Sequence, residues 1–295
     1  MLKIERIVCP VDFSEYSTRA YDYAYSLAKH YGAKLLLEHV VQPLTMAYPN
    51  YSFPDSMAFD VFSSLSADAE KRLAELVRNR SWNGVQPQWS IERGMVPDAI
   101  LSFAEEQSAD LIVMGTHGRR GLDRLTMGSA TEKVLRRAHC PVLAVRKPSH
   151  DFVTPGERRD PVHLRKILFC SDFSENSRRA SDYAFSLAME YNAEITLLHV
   201  LEDLPASADL QAATREAVES LRKVMPPDAN NWCRVKCTVR IGKPYQEIVQ
   251  LALEAQSDLV ILGVRGRSAL DLALFGSTTH RVIQLGTCPV LAVHM

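Results

Sequence analysis

Apolar positions along this chain switch between a period near two and a period near 3.6. Residues 4–11 form a short apolar run rich in β-branched side chains, which reads as a buried strand. Directly after it, Ala20, Tyr23, Ala24, Leu27 and Ala28 recur at i, i+3, i+4, i+7 and i+8, the stripe of an amphipathic helix. The alternation continues. Lys34–Val41 reads as a strand, 68–80 as a helix and 85–92 as a strand. Residues 97–107 read as a helix with Pro97 near its first turn, where a missing N–H costs little. A fourth strand over 111–114 ends at Gly115, followed by a helix at Ser129–Arg137 and a fifth strand at Val142–Val145. Strands separated by helices predict a parallel sheet covered on both faces, because each parallel crossover needs a long connection. Ligand sites in such sheets lie beyond the carboxyl ends of the strands, where the winding reverses. That geometry points to Val11-Asp12, His39-Val40-Val41 and Gly115.

The whole pattern occurs twice. The segment from Asp12 to Ala28 returns as Asp172 to Ala188, and His39-Val40 as His199-Val200, both at an offset of 160. Gly115 and Gly263, and the blocks Cys140 to Val145 and Cys288 to Val293, match at an offset of 148. The first copy therefore carries 12 extra residues between these blocks. Residues 42–62, rich in Pro, Tyr, Ser and Met, are their natural place and read as a surface insertion, a lid or contact arm. Residues 148–163 include Pro148, Pro155, Gly156 and Pro161 and read as a linker. The expected organisation is a first domain over 1–147, the linker, and a second domain over 164–295.

Composition narrows the function. The chain has 295 residues, 46% of them hydrophobic and 23% charged, enough for two ordinary cores. Lys and Arg total 34 and Asp and Glu 35, a formal charge of -1, which argues against a broad nucleic-acid or anionic-membrane surface. Charges interrupt the first ten residues, so no signal-peptide core is expected, and no apolar run reaches the length of a membrane span. A cytoplasmic protein is the expectation. The six cysteines match no disulfide framework or zinc spacing and are expected to be reduced and mostly buried. No metal site is expected. His39 and His199 are read as hydrogen-bonded structural residues, and Asp22 and Asp182 as solvated residues on the polar side of the first helix.

The chemistry concentrates after the fourth strand. Gly115, Gly118 and Gly128-Ser129 are separated by two and then nine residues, and Gly263, Gly266 and Gly276-Ser277 repeat that spacing. A glycine leaving a strand permits a sharp turn and close ligand approach. Gly-Ser opening a helix offers free N–H groups, a hydroxyl and the positive end of the helix dipole, which suits a phosphate. The competing reading is that these are turn and cap residues, with Ser129-Ala-Thr-Glu132 as a capping box. Against it, the spacing repeats while the filler differs, and Ser277 has no Glu three residues on. Neither a P-loop nor a G-x-G-x-x-G fingerprint is present.

At these residues the chain resembles the universal stress protein family, whose ATP-binding branch carries G-x2-G-x9-G-[ST]. The resemblance extends over nearly the whole chain, including the Val-Asp-Phe-Ser opening and the Cys-Pro-Val-Leu-Ala-Val ending. It implies two tandem Rossmann-like α/β domains, each a five-stranded parallel sheet. Their fifth strands would pair antiparallel, so that one chain mimics a dimer; a further homodimer stays open. It implies adenine nucleotide binding, with ATP and its Mg²⁺ as reference ligand. Asp12 and Asp172 would stand near the nucleoside, Val40, Val41, Val200 and Leu201 by the adenine, and the glycine loops at ribose and phosphates. In the first copy the implied contacts are Pro10, Val11, Met114, Gly115, Gly118, Arg119, Gly128, Ser129 and Ala130. In the second they are Gly263, Gly266, Arg267, Gly276, Ser277 and Thr278. The second copy departs at Cys170-Ser171, Val264-Arg265 and Ala269, so the first is the stronger candidate. A regulatory binding protein rather than an enzyme is expected, since His117 is the nearest candidate base and the second copy has Arg265 there. A slow ATPase or nucleotidyl transferase, and an interaction module with vestigial sites, are the alternatives.

Overall fold

The computed structural model describes residues 2–43, 53–80, 85–118, 127–146, 152–153, 162–202, 209–264 and 277–294. The first half contains β1 (Arg6–Pro10), α1 (Glu15–Tyr31), β2 (Lys34–Val41), α2 (Asp55–Arg80), β3 (Gln88–Arg93), α3 (Val96–Glu106), β4 (Leu111–Gly115), α4 (Ser129–Arg137) and β5 (Val142–Val145). The second contains β6 (Lys166–Cys170), α5 (Glu175–Tyr191), β7 (Glu194–Leu201), α6 (Leu210–Val224), α7 (Ala229–Trp232), β8 (Val235–Ile241), α8 (Pro244–Glu254), β9 (Leu259–Gly263), α9 (Ser277–Leu285) and β10 (Val290–Val293).

The strands form one 10-stranded sheet in the order β3-β2-β1-β4-β5-β10-β9-β6-β7-β8. Within each half every neighbouring pair for which a register is given is parallel. At the centre β5 and β10 run antiparallel, with Leu143 opposite Leu291. The two halves therefore share a sheet, as the family resemblance implies for a chain that mimics a dimer. In each half the winding reverses between the first strand and the fourth, so both switch points open at the carboxyl ends of those strands.

Alternation along the strands divides the core into two layers. Ile7, Cys9, Leu35 and Leu37 face α1 and its buried Tyr21, Tyr23 and Tyr25, in a layer that continues across to α5. Val8, Leu36 and Ile112 face the other way, against Ile100, Leu101 and Ala104 of α3 and Val134 and Leu135 of α4. The predicted stripe of α1 is buried in full. The helix starts where the Ser14 hydroxyl accepts from the Ser17 N–H at 3.2 Å and stops at Gly32 in the left-handed conformation.

Three expectations need correction. The second helix begins at Asp55, within the expected insertion, rather than at 68, and runs 26 residues, against 15 for α6. Pro54 stands immediately before it, where a fixed φ and a missing N–H suit a helix start. Residues 44–52 lie outside the described ones. The third strand begins at Gln88 rather than at 85. In the expected linker, Phe152, Val153 and Val162 are buried in the core layer shared by both halves. Finally, Asp22 is not solvated. It is 3% exposed, and Arg80 at the end of α2 donates to both its oxygens at 2.8 Å. Burial pushes the Asp22 carboxyl up, while Arg80 pulls it down. Asp182 is exposed, as expected. Sequence periodicity could not reveal that α2 reaches back over α1.

All six cysteines are free thiols and five are buried. Burial pushes the Cys9 and Cys170 thiols well above their ordinary range, which leaves them inert. Among the described residues, no helix is long and apolar enough to cross a membrane.

Candidate functional site

After β1 the chain makes a turn that recurs after β6. Phe13 has φ 64°, a left-handed conformation costly for a bulky side chain, and Phe173 has φ 61°. Such strain costs about 1–3 kcal/mol and persists only where surrounding contacts impose it. Here those contacts are visible. The Ser14 N–H donates to Oδ1 of Asp12 at 3.0 Å, and the Asp12 N–H to the Ser17 hydroxyl at 3.3 Å. The Phe13 ring lies 4.7 Å from the His39 ring. His39 Nδ1 in turn bonds the Val11 carbonyl at 2.6 Å, which fixes the proton on Nδ1. The second copy repeats three of these contacts: Ser174 N–H to Asp172 at 3.0 Å, Phe173 on His199 at 4.3 Å, and His199 Nδ1 to the Ser171 carbonyl at 2.8 Å. Both histidines are thus structural hydrogen-bonding residues, and their task is to hold the strained turn that presents Asp12 and Asp172. Burial opposes ionisation of Asp172, but hydrogen bonds from Ser174 and Ser177 outweigh it and hold its carboxyl below the usual range.

Beside Asp12 lies an open cleft of about 650 Å³. Asp12, Val40, Val41, Gly118, Gly128, Ser129 and Ala130 line it. It adjoins, through shared walls at Asp12, Val40, Gly118 and Gly128, a recess of about 110 Å³ whose lining includes Pro10, Val11, Met114 and Gly115. Every described candidate of the first copy therefore converges on one place at the switch point. Arg119 lies outside the described residues. The second cleft, of about 420 Å³, is lined by Asp172, Val200, Gly263, Ser277 and Thr278. Leu201 is not in its lining, and Gly266, Arg267 and Gly276 lie outside the described residues.

The glycines serve different purposes. A Cβ on Gly115 would stand 2.8 Å from the Tyr16 carbonyl carbon, and one on Gly263 2.5 Å from Asn176 and Ser177 backbone. Both are needed for strand-to-helix packing, whatever binds nearby. A Cβ on Gly118 would stand 2.7 Å from Oδ2 of Asp12, so this glycine keeps the carboxylate open to the cleft. Gly128 is the N-cap of α4, with no side-chain cap bond. The capping box expected from Ser129 and Glu132 does not form, because Ser129 is already the first helical residue. The opening turn of α4 has N–H groups with no intrahelical partner, and they face the cleft.

Sequence reasoning missed several lining residues. Arg72, on the long helix α2, lies 4.1 Å above the Phe13 ring and lines the cleft, as does Lys133 of α4. His117, which the sequence already offered as the nearest candidate base, lines it too; it is 4% exposed and its Nδ1 pairs with the Thr116 hydroxyl at 2.9 Å. Glu38 stands in the wall of the recess, fully buried on β2 between Pro10 and Ser90 of the neighbouring strands. Its repeat equivalent is Leu198, so an acid in an otherwise apolar strand was the available signal. Among the described residues no group of three or more His, Cys, Asp or Glu could hold a metal ion.

Comparison with known proteins gives the family. The sequence profile of the universal stress protein family matches residues 3–146 and again 163–294. A universal stress protein of Methanocaldococcus jannaschii is 34% identical over 149 residues, covering 50% of this chain and 85% of that protein. One from Mycolicibacterium smegmatis is 25% identical over 299 residues, covering 97% of this chain and 96% of its own. The crystal structure of a universal stress protein from Archaeoglobus fulgidus superposes over 99% of both chains with a TM-score of 0.70 at 20% identity, which is a shared fold.

Proposed function

The chain belongs to the universal stress protein family, and from that premise we propose that its first cleft binds an adenine nucleotide, with ATP as reference ligand, to regulate contacts with other molecules rather than to catalyse a reaction. One observation carries this reading: Asp12, Gly118 and the uncapped opening turn of α4 converge on a single cleft at the switch point. In this reading Asp12 accepts from the ribose hydroxyls. The α4 N–H groups, with Lys133 beside them, receive the phosphates. Val40, Val41 and Met114 give the base an apolar bed. The domains are 1–147 and 164–295, joined by 148–163.

The described residues do not compose a Mg²⁺ site of their own, and no role is assigned to the metal. A binding role is favoured over hydrolysis because His117, the nearest histidine, is enclosed and its Nδ1 is engaged by Thr116. The second cleft shares the turn, the histidine and the aspartate, and we assign it the same ligand class with different base surroundings.

Titration calorimetry with Mg-ATP tests the proposal. Wild-type protein should bind, and Gly118→Val should lose the first site while its circular dichroism is unchanged. Wild-type protein that takes up no nucleotide contradicts the reading.

A further inference from the structure

Glu38 is an anomaly that nucleotide binding alone does not explain. The residue is 0% exposed, and neither carboxyl oxygen has a hydrogen-bond partner. A buried unpartnered polar group is a net cost to folding. The cost is also avoidable on this scaffold: the same strand position in the second copy holds Leu198, 1% exposed. The side chain lies on the face shared with Leu36 and Val40, under α3, and forms part of the wall of the inner recess. The rest of that wall is largely apolar, including Pro10, Val40, Ile100 and Met114. A flat aromatic group fits such a bed, and Glu38 is the carboxylic acid that β2 contributes to its wall, which also includes the polar Asp12, Ser17, His39, His117 and Thr131.

We propose that Glu38 reads the base in the first cleft: as a neutral acid it offers a hydroxyl donor and a carbonyl acceptor side by side to the ring nitrogen and amino group of an aminopurine. The inference rests on the nucleotide reading above and adds the residue that selects the base. The protonation state follows from the surroundings. Burial first, then the negative charges of Glu92 on β3 and Glu106 at the end of α3, push the Glu38 carboxyl up to about 8. Of the other groups around it, Ser90 on β3 spends its hydroxyl on Glu92 at 2.5 Å. Asp12 and His117 line the same recess. Glu38 is therefore neutral at pH 7 and can donate, which a carboxylate cannot. Ionisation at higher pH removes the donor and sets a negative charge against the lone pair of the ring nitrogen.

Three proteins separate this role from a structural one: wild type, Glu38→Gln and Glu38→Leu, each titrated with ATP and with purine riboside triphosphate, which lacks the 6-amino group. The Gln amide keeps one donor and one acceptor and never ionises; Leu keeps only shape, as the second copy shows it can. Wild type should prefer ATP over the analogue, and Glu38→Leu should bind ATP at the first cleft about 10- to 100-fold more weakly, with the preference gone. Glu38→Gln should retain both. Wild-type affinity should fall about tenfold per pH unit above about 8, while the Gln variant stays flat. Each variant should melt at or above the wild-type temperature, so lost binding cannot be lost folding. Equal ATP affinity and equal preference in wild type and Glu38→Leu overturn the role of Glu38 alone. Wild type that binds neither compound overturns the parent reading, and this one with it.

Discussion

The two clefts of this chain are built on one frame and finished differently. Both have an aspartate after the first strand, a left-handed phenylalanine, and a histidine that braces that ring and bonds the carbonyl two residues before it. Both need a glycine where the fourth strand passes the first helix. The differences lie around the ligand space. The first cleft has Glu38 where the second has Leu198, and Pro10-Val11 where the second has Cys170-Ser171. Only the first has a long α2 that reaches the ligand space with Arg72 and α1 with Arg80. Of the shared residues, Phe13, Phe173 and their histidines hold strained backbone in place, so substituting them disturbs the fold. The differing ones touch the ligand space, so a duplicated chain can vary them independently in its two halves.

The comparison can be broken in order of expected effect. Gly118→Val should weaken nucleotide binding by about 100-fold or more in the first cleft and leave the second untouched, because overpacking against Asp12 costs about 1–3 kcal/mol and also displaces the carboxylate. Stoichiometry by calorimetry reads this directly. Arg80→Ala should cost about 2–3 kcal/mol of stability, below the usual cost of breaking a buried pair because the guanidinium is 37% exposed. Asp182→Ala, at the matching place in the second half, should stay within about 0.5 kcal/mol. Denaturant unfolding of both variants measures the contrast. Gly263→Ala should cost about 1–3 kcal/mol, since the new methyl meets backbone that cannot step aside. Gly128→Ala should be milder, its nearest contact being 3.4 Å away.

A pH-dependent effect concerns Glu38 and has a definite sign. Its native carboxyl holds a proton up to about 8, whereas the unfolded chain releases it near the ordinary 4.5. Between those values the native state binds more protons, so stability falls as pH rises, by at most about 1.4 kcal/mol per pH unit from this group. Glu38→Leu should flatten that slope and raise Tm by roughly 2–4 °C for each kcal/mol recovered. Leu198→Glu should introduce the same slope in the second half. Thermal melts between pH 5 and pH 8 compare all three chains.

Most of the fold was legible in the sequence because the repeat let each half check the other. The second strand, the helix at 129 and the fifth strand begin and end where the apolar pattern puts them. Gly118 and Gly128 were legible as candidate site residues by spacing and Asp12 by its place at a strand's carboxyl end, though not which glycine serves packing and which serves the cleft. That distinction depends on distances to Tyr16 and Asp12 that no local pattern encodes. Phe13 escaped notice because an aromatic residue is no signal of a left-handed turn. Asp22 looked like a surface acid on a helical wheel, since its partner Arg80 is 58 residues away. Glu38 was visible as an acid opposite a leucine in the repeat, but an isolated charge in a strand does not say whether it faces a core or a pocket.

The most direct measurement is to denature freshly purified wild-type protein, release whatever it carries, and quantify adenine nucleotides per chain by chromatography with mass detection. The account predicts between one and two per chain, falling by one in Gly118→Val. A protein that emerges empty, and stays empty after incubation with Mg-ATP, contradicts it.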